Sequence, residues 1–391
     1  MNNFQFWSPT QFVFGKNAQK EVGKVLQGHG YHKVLIHYGG GSVIKSGLLD
    51  EVKKSLDAAG IAHIELGGAQ PNPIDTLVYE GIDVARKEKV DFILAVGGGS
   101  TIDSAKSIAM GVPYDGDFWD FFSKGVEIRE ALPVGTVLTI PAAGSEASNS
   151  CVITKMDGML KRGAGSELLR PKVSFMNPEL TYTLPPYQTA AGATDMMAHI
   201  FERYFSNTKG VELTNRMSEA VLKTIIKEVP IALREPENYD ARANIMWAGM
   251  VAHNNILGVG REQDWSSHQI EHELSALYDV THGAGLAVIF PAWMRYQYKH
   301  DIPLFAQFAV RVWNCEMDYE NPEVTALEGI KKVKEFFKSI GMPTNFKELG
   351  AKEEDIPLLA SKCGANNNGM MGYFHPLTLQ EVEEVYRLAC E

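Results

Sequence analysis

His268, His272 and His282 fall within fifteen positions of the stretch SSHQIEHELSALYDVTHG, residues 266–283. Imidazoles at that density on a helical pattern are uncommon for packing reasons alone and point to metal ligation or proton transfer. The core HQIEH also spells H-x-x-E-H, a metallopeptidase signature in which His268 and His272 bind zinc and Glu271 is the general base. Upstream, ATDMMAHIFERYF at 193–205 has helical spacing that puts Asp195 and His199 one turn apart on one face, a chelate spacing. An isolated D-x-x-x-H is more often a helix-end carboxylate and a buried histidine. Beside the second cluster it reads as half of a metal site. Oxygen and imidazole ligands without thiolate suit Fe(II), Zn(II) or a related divalent ion, and ligand type does not select among them. Spacing alone also leaves open whether His272 is a ligand.

The other chemistry-bearing residues are glycines. Two apolar runs end in HYGGGS (37–42) and AVGGGS (95–100), and the second leads into the helical pattern TIDSAKSIAM. A strand, bare glycines and a helix N-terminus form an anion site, because the backbone can approach a phosphate and its amides face it. Gly97, Gly98, Gly99 and Ser100 are therefore expected to hold a pyrophosphate, with Asp103 in the first helical turn. Neither loop spells G-x-G-x-x-G and no Walker lysine is present. In the first loop Gly39, Gly40, Gly41 and Ser42 leave no acidic side chain for a ribose 2′-hydroxyl, which favours NADP(H) over NAD(H). A third loop, TIPAAGSEASNS at 139–150, offers Thr139, Ser145 and Asn149 as hydrogen-bonding groups, or as ordinary helix-cap residues.

The elements that must carry these groups divide the chain. To about residue 183, apolar runs (KVLIHY, IAHIEL, VDFILAV, VGTVLTI) alternate with amphipathic helical patterns, the signature of a parallel sheet covered on both faces. Beyond YTLPP at 182–186 nearly every long segment has helical spacing. The expected architecture is an α/β dinucleotide-binding domain over 1–185 and an all-α metal-binding domain over 186–391, with substrate in the cleft between them. The opening FQFWSPTQFVFG alternates like an exposed strand in need of a partner edge, so a homodimer is expected. With 37 basic against 48 acidic residues the net charge is −11, which disfavours nucleic acid. No stretch reads as a signal peptide or membrane span, and Cys151, Cys315, Cys363 and Cys390 lack CxxC spacing; a cytoplasmic protein with reduced thiols is expected.

A peptidase accounts for five residues and leaves the glycine loops without a purpose. A dehydrogenase accounts for both halves, with a dinucleotide in the first delivering hydride to a carbonyl polarised by a metal in the second.

The chain resembles the iron-containing (group III) alcohol dehydrogenases, most closely their butanol dehydrogenase and aldehyde reductase branch. The likeness runs through VFGK, YGGGS, AVGGGSTIDSAK, TIPAAGSE, TYTLPP, GATDMMAHIFE and DWSSHQIEHELSALYDVTHGAGLAVIFP, and the last two segments together are highly specific. The resemblance implies an N-terminal Rossmann-like domain, a C-terminal helical domain and a divalent metal, Fe(II) ahead of Zn(II), held by Asp195, His199, His268 and His282. It makes His272 a residue near nicotinamide and substrate, suited to passing the proton to solvent, and it adds Lys161 as a cofactor-facing lysine beside Thr139 and Ser145. The substrate class it implies is a primary alcohol or aldehyde such as butanol and butanal. The competing readings are a lyase of the dehydroquinate synthase type, for which DWSSHQIEH lacks basic residues, the H-x-x-E-H peptidase, and a non-catalytic nucleotide-binding protein.

Overall fold

The computed structural model describes all residues except 365–369. The described chain falls into two compact units, residues 7–184 and residues 1–6 with 185–391. The first six residues, assigned to the α/β domain on sequence, group instead with the helical unit. The Met1 ammonium donates to Lys209 O at 2.6 Å and Asn2 N to Gly260 O at 2.8 Å.

The α/β unit is built on a six-stranded parallel sheet of β1 (Gln11–Phe14), β2 (Lys33–Tyr38), β3 (Ala62–Leu66), β4 (Phe92–Gly98), β5 (Val134–Ile140) and β8 (Val173–Met176), in the order β1-β8-β5-β4-β2-β3. β6 (Ser150–Lys155) and β7 (Leu160–Gly165) form a separate antiparallel hairpin. The central strands bury nearly every side chain, which is why their sequences are apolar throughout instead of alternating. Helices α1 (Leu48–Ala58), α2 (Asp75–Glu88) and α3 (Gly99–Gly111) connect them. Of the aromatic N-terminal run only residues 11–14 form a strand, an edge strand paired in parallel with β8.

The helical unit includes α4 (Pro186–Tyr204), α5 (Glu212–Arg234), α6 (Tyr239–His253), α7 (Ser266–Tyr278) and α8 (His282–Gln297). It is not wholly helical, since two-residue strands at Met370–Met371 and Leu377–Thr378 pair antiparallel. Its core holds Phe201, Phe205, Phe290, Trp293, Phe305 and Phe308, all fully buried. α4 is buried along almost its whole length and starts on Pro186, whose missing N–H costs nothing at a first helical position. α7 begins after Trp265, which sits at φ 67° and supplies no side-chain cap. Its N-terminus is tied down from outside, by Asp264 accepting from Ser266 N at 2.9 Å and by Glu202 accepting from Trp265 N at 2.9 Å.

Candidate active site

In the helical unit α4 presents Asp195 and His199, the first turn of α7 presents His268, and α8 opens on His282. They converge on one carboxylate oxygen. Asp195 Oδ1 lies 3.0 Å from His199 Nδ1, 3.8 Å from His268 Nε2 and 3.9 Å from His282 Nε2. Asp195 Oδ1 and His268 Nε2 are buried and make no hydrogen bond among the described residues. Leaving a buried polar atom bare costs about 1–3 kcal/mol, so two such atoms facing each other ask for a shared partner. Four ligands at about 2.0–2.2 Å from one ion stand about 3.4 Å apart. The Asp195–His268 and Asp195–His282 separations are too long for hydrogen bonds and close to that spacing, so these residues fit a divalent cation. Asp195, His268 and His282 offer ligand atoms all within 4.8 Å of one another. His199 stands beside this trio, its ring 4.5 Å from that of His268 and its Nδ1 bonded to Asp195 O at 2.8 Å.

The electrostatics agree. Burial opposes an imidazolium at His268, yet Asp195 and Glu202 outweigh it and push its pKa up to about 9. Burial also opposes ionisation of Asp195, but His199, His268 and His282 hold its carboxyl well below the usual range. The cluster calls for positive charge, as a divalent ion supplies. The site is most open at His282, whose side chain is 24% exposed against about 6% for Asp195. His272 is half-buried next to it, with ring centroids 5.5 Å apart.

Several neighbours have partners that the sequence does not show. Glu202 and Glu271, fully buried, accept from Nδ1 of His268 (2.8 Å) and of His282 respectively. The signal for Glu202 lay in its spacing, three residues after His199 and seven after Asp195. His253, which no spacing in the sequence ties to the cluster, packs its ring 4.0 Å from that of His199. Arg203 ties the group together, donating to His199 O at 2.6 Å and to His253 Nδ1 at 2.9 Å while lying 4.7 Å over the Trp265 ring. Trp265 thus packs on the histidine cluster, its ring 5.7 Å from that of His199 and 5.3 Å from that of His268, whereas Phe118 and Trp119 are core residues of the α/β unit.

In the α/β unit both glycine stretches lie at strand ends, Gly39–Ser42 directly after β2 and Gly97–Ser100 across the junction of β4 and α3. Gly97 and Gly98 are the last residues of β4, and Gly99 and Ser100 begin α3. A Cβ on Gly97 would stand 2.4 Å from Thr101 Oγ1, and one on Gly98 2.9 Å from Ile140 Cβ, so neither position has room for a side chain. Thr139 lies near the carboxyl end of β5. Three other candidates have their hydrogen bonds inside the protein. Asp103 accepts from Ser145 Oγ at 2.5 Å and from Val152 N at 3.0 Å. Ser145 also accepts from Lys106 Nζ at 3.0 Å. Asn149 donates to Glu167 at 2.7 Å. These residues brace the loop instead of offering free groups to it. Lys106, which a helical pattern makes look like a surface lysine, is the hub, since its buried Nζ also reaches Ser148 O and Ser150 O, each at 2.9 Å. Lys161 is buried on β7 and donates to Asn72 at 3.0 Å, which adds the QPNP loop to the candidate nucleotide region.

The third loop also yields a pH prediction. Burial pushes the Glu146 carboxyl from 4.5 up to about 7, against the pull of Lys106, and its Oε1 makes no hydrogen bond among the described residues. A carboxyl whose folded pKa is raised contributes stability that is complete below the unfolded value and lost as pH rises through the folded one. The loss amounts to about 3 kcal/mol. Glu146→Gln mimics the protonated form, so its stability relative to the parent should rise between pH 5 and pH 8. Urea unfolding at both values checks this, and a difference independent of pH contradicts it.

Residues 9–178 match the family described as iron-containing alcohol dehydrogenase, and residues 189–390 match the Fe-containing alcohol dehydrogenase family, C-terminal. The chain is 40% identical to NADH-dependent butanol dehydrogenase A of Clostridium acetobutylicum over 99% of both chains. It is 37% identical to the NADPH-dependent aldehyde reductase of Escherichia coli over 100% of both. The crystal structure of NADH-dependent butanol dehydrogenase A from Thermotoga maritima superposes with a TM-score of 0.97 at 40% identity, covering 100% of this chain and 99% of that one.

Proposed function

We propose, for a chain that belongs to the iron-containing alcohol dehydrogenase family, an alcohol dehydrogenase and aldehyde reductase that uses Asp195, His199, His268 and His282 to hold its metal. The observation that carries the metal assignment is the pair of buried, unbonded atoms Asp195 Oδ1 and His268 Nε2 facing each other at 3.8 Å. When bound, a divalent ion supplies Lewis acidity to a carbonyl oxygen and a nicotinamide nucleotide supplies or accepts the hydride.

The chain's own residues do the rest. Gly97 to Ser100 bring backbone amides to the start of α3 for the pyrophosphate. Lys106, Asp103 and Ser145 hold the third loop beside it, and Lys161 with Asn72 stands at the hairpin. His272, half-buried next to His282, passes the proton between the reacting oxygen and solvent. The related proteins include both NADH- and NADPH-dependent enzymes. We assign NADP(H) here because Gly39 to Ser42 offer no carboxylate to a ribose 2′-hydroxyl. Fe(II) is the metal we assign, in keeping with the family. A cytoplasmic site is supported by four cysteines that form no disulfide among the described residues; no helix among those residues is long and apolar enough to cross a membrane. A homodimer is supported by the edge strand β1, which carries the exposed Phe14 and is preceded in its own unit by the exposed Trp7.

The test is absorbance at 340 nm with butanal and NADPH or NADH, before and after chelation and reloading with Fe(II) or Zn(II). Metal-dependent loss of signal, faster with NADPH at equal concentration, is expected. A strong NADH preference overturns the assignment from Gly39 to Ser42. No turnover with either nucleotide and either metal overturns the butanal-reducing activity and points to a lyase or another carbonyl substrate.

A further inference from the structure

We infer that Glu202 and Glu271 are positioning residues for the metal, each locking one ligand histidine through Nδ1 so that its Nε2 faces Asp195; the inference rests on the metal-dependent reading above. Both carboxylates are fully buried. A buried carboxylate is costly unless paired and hydrogen-bonded, so each needs a reason to be where it is.

Glu202, in the last turn of α4, spans the start of α7. Its Oε1 accepts from His268 N at 3.1 Å and from His268 Nδ1 at 2.8 Å, while Oε2 accepts from Trp265 N at 2.9 Å. It therefore replaces the missing cap of α7 and orients the ring in one stroke. Glu271 lies one turn further along α7 and crosses to α8. Its Oε1 accepts from Ser275 Oγ, and its Oε2 accepts from His282 Nδ1. Space for it exists only because residue 285 is glycine, since a Cβ there would meet Glu271 Oε1 at 2.3 Å and Cγ at 2.7 Å. Hydrogen bonding at Nδ1 fixes the proton on that nitrogen, leaves the lone pair on Nε2 and raises the basicity of the ring as a ligand.

The H-x-x-E-H spelling gains a different meaning from this geometry. A peptidase glutamate must reach a water or substrate, whereas Glu271 is fully buried and engaged at both oxygens. It acts through His282, eleven residues later and on the next helix.

Glu271→Gln is the discriminating variant, because glutamine can still accept from His282 and donate to Ser275 Oγ while losing the charge. The readout is Zn(II) affinity of the purified chain by competition with a chelator, together with urea unfolding of the metal-free protein. We expect affinity to fall about 10–100-fold, with the metal-free variant no less stable than the metal-free parent. Glu271→Ala should lose more affinity still. Glu202→Gln should weaken metal binding to a similar degree and also destabilise, since an amide cannot accept all three N–H groups; if it does not fold, Glu271→Gln carries the test. Equal Zn(II) affinity in parent and Glu271→Gln, or a loss of metal-free stability with unchanged affinity, overturns the inference and leaves the metal site standing. A parent that takes up no stoichiometric Zn(II) overturns the metal site itself.

Discussion

His268→Ala and His282→Ala should each yield protein without bound metal and with turnover reduced by about 10³-fold or more. Lewis-acid stabilisation is worth several kcal/mol, and each 1.36 kcal/mol is a factor of ten in rate. His272→Ala should keep one metal per chain and lose about 10²-fold in kcat, the lower end of what a positioned acid–base group contributes. Metal content by mass spectrometry separates the two classes before any rate is measured. The distinction comes from direction. Nε2 of His268 and of His282 stands 3.8 and 3.9 Å from Asp195 Oδ1, and Nδ1 of each is taken by a glutamate. His272 belongs instead to a second grouping with Glu271 and His282 whose ligand atoms also lie within 4.8 Å of one another. Metal-free His272→Ala would therefore move the ligand set one turn along α7, to Glu271, His272 and His282, and would take the proton-relay role from His272.

How far such a site can be read from sequence depends on whether a residue's partner is local. Asp195 and His199 are four apart on one helix, so the helical period announces them. The apolar runs of β2, β4 and β5 and the amphipathic patterns of α1 and α2 announce the sheet in the same way, because burial on both faces leaves no polar alternation. β8, only four residues long, carries too little pattern to stand out. Glu202 and Glu271 are visible in the sequence as residue types, but what defines each is a histidine on another helix. The motif around Glu271 even spells a different chemistry, and Gly285, the residue that makes room for it, carries no sign of its purpose until the two helices are packed. Lys106 shows the same limit. Its position in α3 is legible, while its burial depends on Ser145, Ser148 and Ser150 folding over it from a loop some forty residues away. Asp103, Ser145 and Asn149 stand in the sequence as polar groups near a nucleotide loop, and the structure spends their hydrogen bonds on each other and on Lys106, Val152 and Glu167.

Gly283→Ala should be as damaging as loss of a ligand, although the glycine touches no metal. A Cβ at residue 283 would lie 1.9 Å from Ala191 O, 2.6 Å from Ala191 C and 3.0 Å from Ala191 Cα. Non-bonded carbons rest at about 3.5–4.0 Å, and here both sides of the clash are fixed to backbone, so no rotamer change relieves it. The start of α8 must withdraw from α4 by an ångström or more. Overpacking in a well-filled core costs about 1–3 kcal/mol, and a backbone clash belongs at or above the upper end. The same displacement carries His282, the preceding residue, away from Asp195, which lies one helical turn beyond Ala191 on α4. His268 is anchored separately through Glu202, so the ligand set is pulled apart instead of moving as a body. The expected outcome is a fall of about 3 kcal/mol in unfolding free energy together with Zn(II) affinity weakened at least as much as in Glu271→Gln. Gly40→Ala is the control, because nothing lies within 4 Å of a Cβ there, and it should leave both quantities unchanged. If Gly283→Ala binds Zn(II) like the parent and unfolds within 1 kcal/mol of it, about the scatter expected of an unstrained surface change, the closeness of α4 and α8 does not set the metal geometry. The glycine after the last histidine would then owe its place to something other than the approach of the two helices that carry the ligands.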